Sequence, residues 1–138
     1  MAVQAAIAFV WLGMVLAISF LEAPLKFRAP GITVPLGVGI GRLVFRALNI
    51  VEGIFALVLV AFLVPQRPVP ILSLALIVAL CLVLIAGAAV LRPVMDRRVR
   101  VGRLADGVPR HSLHWGYVAL ECLKVVLLIV LGVVSLAG

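Results

Sequence analysis

Four stretches of this chain are each long and apolar enough to cross a lipid bilayer, at about residues 2–21, 43–64, 71–91 and 115–136. A hydrocarbon core roughly 30 Å thick needs about 20 apolar residues in a helix, and a helix satisfies its own backbone N–H and C=O groups where no water is at hand. The four runs take up most of the 138 residues. The expected fold class is therefore all-α: a polytopic integral membrane protein, built as a four-transmembrane-helix bundle. Residues 1–138 read as one such domain with no soluble head. Composition agrees. The chain is 66% hydrophobic and 12% charged, against about 25% charged in an ordinary soluble domain.

Charge sets the expected orientation. The net charge is +7, and ten of the twelve Lys and Arg fall in two long loops and the helix ends beside them. The short connection at 65–70 carries only Arg67, and Lys124 lies within the fourth run. Cytoplasmic loops collect Lys and Arg, beside anionic lipid. Both long loops are thus expected in the cytoplasm and both termini outside, in the cell membrane or an inner membrane. The same reasoning assigns the positive charge to a lipid surface and not to nucleic acid. No Lys or Arg precedes residue 26, so the first run reads as a retained helix rather than a cleaved signal with its basic start. Cys81 and Cys122 lie inside apolar runs without a CxxC spacing, which supports neither a disulfide framework nor a thiol-redox motif.

The polar residues inside the runs are the candidates for function. Glu52 sits at hydrocarbon depth in the second run. A charge there costs about 3 kcal/mol or more near a helix centre and so calls for a partner. Counting about 1.5 Å per residue places Glu52 some 12 Å above the cytoplasmic boundary and Lys124 some 14 Å, with Glu121 a turn below Lys124. Arg42, Arg46, Asn49 and Glu52 follow at spacings of four, three and three, a polar stripe on the second helix. Ser19, Glu22 and Lys26 share a face of the first if that helix passes Pro24, which is expected to kink it or to end it near Ala23. His111, His114, Glu121 and Lys124 form a stripe on the fourth. The expected site is a cytoplasm-facing polar pocket among helices one, two and four, made of Glu22, Lys26, Arg42, Arg46, Asn49, Glu52, Glu121 and Lys124. Helix three would serve as a wall.

Three kinds of role fit such a pocket. In the leading one it binds or transports a small anionic, zwitterionic or lipid-like solute, with the cations holding an anionic part and Glu52 and Glu121 holding a cationic part or a proton. In the second it is an oxidoreductase or metalloenzyme, and Glu22, Glu52, His111, His114 and Glu121 are the residues suited to a metal. The Glu-x-x-His pattern of di-iron bundles is absent, and the nearby Lys and Arg oppose a cation, so no cofactor is predicted. In the third, the ion pairs only fix helix register in a subunit of a larger membrane complex. A bundle this small also suggests a homo-oligomer. Gly37, Gly39 and Gly41 are Gly-rich without a preceding strand, which gives a dinucleotide loop no support.

Short motifs are spread over most of the chain: Ala23-Pro24 with Phe27 at the end of helix one, Gly41 with Phe45 at the entry to helix two, Pro93 after helix three and His114 before helix four. In these the chain resembles a family of small four-helix membrane proteins of unknown function that includes the cisplatin-resistance-associated transmembrane protein. The resemblance implies the same four-helix fold and no particular activity.

Overall fold

The computed structural model describes residues 2–66, 68–91 and 111–137, and the side chains of these except at 90, 91 and 111–114. Arg67, the basic segment 92–110 with its expected stop at Pro93, and the side chains of His111 and His114 lie outside the described residues. The described residues form helices joined by short turns and irregular segments, with no strand among them. Four helices are long and apolar enough to cross a membrane, as expected.

The first, α1, runs continuously over Ala2–Arg28. Pro24 neither ends it nor stops its run through the bundle. Residues Leu16–Glu22 are instead wound as a π-helix, in which the Ala23 N–H bonds to Ile18 O, five residues back. Proline has no N–H to give and its ring crowds the carbonyl four residues before it; a wider turn just upstream accommodates both. A tighter 3₁₀ turn at Lys26–Arg28 then ends the helix. The turn that follows contains Gly31 at φ +79°, a conformation most side chains resist.

The second helix, α2, spans Val34–Leu63 and so begins well before the apolar run that announced it. Thr33 is its N-cap, with Oγ1 accepting from Leu36 N–H at 3.4 Å, and Pro35 occupies the first turn. Both are ordinary helix-start signals, and they convert the expected loop or interfacial stretch before residue 43 into helix. Its inner stripe is Gly41, Leu48, Glu52, Ala56, Leu59 and Leu63. The third, α3, covers Ile71–Ile85 and continues as a π-helical turn over Ala86–Leu91. The fourth, α4, covers His111–Ala137.

The helices pack by a repeat of three and four. On α1 the buried positions are Gln4, Ala5, Ala8, Trp11 and Val15. On α4 they include Glu121, Lys124, Leu128, Leu131 and Ser135. Such stripes turn one face of each helix inward; on α1 the stripe stops at Val15, and no residue of Leu16–Arg28 is buried. The apolar core joins Trp11 and Val15 to Leu59, Ile77, Leu80, Leu128 and Leu131. The rest of the apolar surface, such as Leu43, Leu57, Ile71 and Val133, is exposed, as lipid-facing helices require. Register is set by contacts along the seams. Gly132 leaves room for the Phe9 ring, which would lie 2.7 Å from an added Cβ, and Gly41 for Lys26 Nζ, 2.8 Å from one. Going along α1, Phe9 meets Gly132 and Ser19 meets Glu121 on α4, while Trp11 meets Glu52 and Lys26 meets Gly41 on α2, so α1 is antiparallel to both.

Candidate functional site

The centre of the site is Lys124, buried on the inner stripe of α4. Its ammonium donates to Glu52 Oε1 at 2.8 Å and to Glu121 Oε1 at 2.9 Å. The Glu121 contact is local, three residues back on the same helix, where side chains naturally meet. The Glu52 contact crosses from α2 and exists because residue 52 falls on that helix's inner stripe. Two further donors come from α1. The Trp11 indole N–H donates to Glu52 Oε1 at 3.0 Å, and Ser19 Oγ donates to Glu121 Oε2 at 2.9 Å. Three helices are therefore tied together by five polar side chains, while α3 contributes no hydrogen bond to them among the described residues.

The arrangement is electrostatically unequal. Two carboxylates share one ammonium, which leaves one formal negative charge inside the bundle. Glu52 is fully buried, and its Oε2 has no hydrogen-bond partner among the described residues. A buried charge in apolar surroundings is strongly unfavourable unless matched by an opposite charge and by hydrogen bonds. One proton, or one cationic group brought by a ligand, would neutralise the centre.

The remaining candidates lie elsewhere. Glu22 and Lys26 pair with each other at 3.4 Å, one helical turn apart on α1. Lys26 also lies over the Phe45 ring, 5.6 Å from its centroid. This half-buried pair sits past Ser19 toward the basic end, so the polar face Ser19, Glu22, Lys26 leads from that end to Glu121. Arg42 and Arg46 are exposed. Asn49 lines an outward groove between α2 and α3. The spacing of four, three and three keeps Arg42, Arg46 and Asn49 within about 60° of one another, but at about 100° per residue it carries Glu52 a further 60° past Asn49 and 120° from Arg46. That rotation separates the buried acid from the basic stripe that leads to it.

Neither Trp11 nor Ser19 was marked by spacing as part of the centre. The signal for Trp11 was its depth: tryptophan favours the membrane interface, where its N–H finds water, and an indole near the middle of a helix must find another acceptor. The signal for Ser19 was its shared face with Glu22 and Lys26. For a metal, no group of three or more His, Cys, Asp or Glu side chains is suitably placed among the described residues. Comparison with known protein families, curated proteins and solved structures finds no match.

Proposed function

We propose that this protein is a small membrane carrier whose working part is the centre formed by Glu52, Lys124 and Glu121. The centre alternates between a bound proton and a bound cationic or zwitterionic solute. The observation that supports this is the shared ammonium: two buried carboxylates on one Lys124, with Glu52 Oε2 without a hydrogen-bond partner among the described residues. A wholly anionic solute is the less favoured cargo, because Lys124 is already engaged by both acids. The face Ser19, Glu22, Lys26 gives such a solute a polar approach from the basic end, which the distribution of Lys and Arg assigns to the cytoplasm.

Uptake into proteoliposomes under an imposed pH gradient tests the reading, with labelled small amines and zwitterionic amino acids as probes. Uptake above that of protein-free vesicles, lost in Glu52→Gln, is the expected result. No gradient-driven uptake of any probe, or uptake that survives Glu52→Gln, overturns it. The rival is a static clamp that pins α1, α2 and α4, favoured by the short bonds from Lys124 to both acids. A clamp would leave vesicles inert and show itself only in thermal stability.

A further inference from the structure

A second candidate site faces outward, beside the inner stripe of α2, with which it shares Ala56. A groove of about 290 Å³ runs between α2 and α3, lined by Asn49, Gly53 and Val60 from one helix and by Cys81, Leu84 and Ala88 from the other. It is apolar but for Asn49, whose side chain makes no hydrogen bond among the described residues. Small residues make the depression: a Cβ added at Gly53 meets nothing within 4 Å. The groove does not stop at Asn49 in its chemistry. At about 100° per residue, Arg42, Arg46, Asn49, Gly53 and Val60 lie within about 60° of one another. Two exposed arginines therefore stand in line with its mouth.

Depth gives this line a meaning. Counting roughly 20 residues back from Leu63, at about 1.5 Å each, puts the edge of the hydrocarbon between Arg42 and Arg46. Both guanidinium groups then reach the phosphate level, and Asn49 lies about 9 Å below that edge. From Asn49 to Val60 is eleven residues, about 16 Å, close to half of a hydrocarbon core of roughly 30 Å. Beginning about 9 Å in, the groove crosses the midplane near Gly53, so its stretch from Asn49 to Gly53 lies in the leaflet of the arginines; it is apolar along its length, with an amide near its top and cations above.

We propose that this groove holds one anionic phospholipid. An acyl chain occupies the space over Gly53 and Ala88. The exposed Arg46 takes the phosphate. Guanidinium groups suit phosphate because they offer paired N–H donors in a plane, and a basic residue near an anionic surface favours binding by about fivefold. This proposal does not depend on the carrier reading, since the groove and the Lys124 centre share no residue.

Native mass spectrometry of the delipidated full chain tests it, with phosphatidylglycerol and phosphatidylcholine of identical acyl chains as probes. Phosphatidylglycerol should bind the tighter, and Arg46→Gln should cut that preference by about fivefold. Gly53→Leu, at a position where an added Cβ meets nothing within 4 Å, puts a side chain into the groove and should weaken both lipids; Ala88→Leu, at an exposed position on the facing wall, should do the same. Equal binding of the two lipids overturns the proposal. So does a preference that survives Gly53→Leu and Ala88→Leu intact, which would place the lipid elsewhere on the surface. A dimer that disappears with Gly53→Leu would make the groove a seam between two copies, and that too overturns it.

Discussion

The interior of the bundle holds polar residues at two levels, and they are treated differently. Toward the basic end, Trp11, Ser19, Glu52, Glu121 and Lys124 hydrogen-bond one another. Toward the other end, Gln4, Ser73 and Ser135 are each at most 2% exposed, yet their side chains have no hydrogen-bond partner among the described residues. The register of α1 against α4, set by Ser19 with Glu121 and by Phe9 with Gly132, brings Gln4 level with the last turn of α4, where Ser135 lies. Ser73, near the start of α3, is at the same end. Between the two levels lies an apolar layer that includes Ala8, Leu59, Ile77 and Leu128. Charged groups were brought together because an isolated charge at this depth is prohibitive. Neutral hydroxyl and amide groups cost less to leave alone, about 1–3 kcal/mol each, and three helices carry them without a matching donor or acceptor. The difference teaches that burial alone does not mark a working site; a network that ties several helices does.

Substitutions sharpen or break this contrast, and thermal unfolding in mild detergent reads each of them. Lys124→Met should do the most damage, about 3–5 kcal/mol, because it strands two carboxylates in the bundle. Glu52→Gln should cost less than Lys124→Met, since it leaves Glu121 and Lys124 as a neutral pair; a larger loss for Glu52→Gln would mean that the excess negative charge is already compensated. Trp11→Phe keeps the ring that packs against Phe55 at 6.0 Å and removes only the N–H donor to Glu52. A loss of about 1.5–3 kcal/mol is expected, the range for a hydrogen bond to a charged group. Ser19→Ala, which removes the half-buried donor to Glu121, should fall at or below that range. At the other end the sign should reverse. Gln4→Met, Ser73→Ala and Ser135→Ala each delete an unpartnered polar group and should be neutral or stabilising by up to about 1 kcal/mol. Clear destabilisation there would show a polar network at both ends and would end the comparison.

Much of the fold was legible because the membrane imposes a simple rule. Twenty apolar residues in a row have one good conformation in lipid, and all four runs became helices. Their ends were read less well. Thr33 and Pro35 start α2 early through capping chemistry that hydropathy does not register, and Pro24 sits inside a helix because a π-helical turn absorbs it. The pairing of Glu52 with Lys124 was legible from matched depth, and that of Lys124 with Glu121 from spacing on one helix. Trp11 and Ser19 were not, because neither carries a charge whose cost at that depth demands a partner.

The sequence by itself determined that the chain is a bundle of four membrane-length helices, and that a few charged groups in it must find partners. Both follow from local quantities: run length, and the cost of a charge at a given depth. Only the tertiary structure decided which charges face inward. A stripe at spacings of four, three and three looks continuous on paper, but a helix turns about 100° per residue. Ten residues on from Arg42, Glu52 points into the bundle while Arg42, Arg46 and Asn49 head a groove on its outer face. Rotation about a helix axis has meaning only once the neighbouring helices are in place.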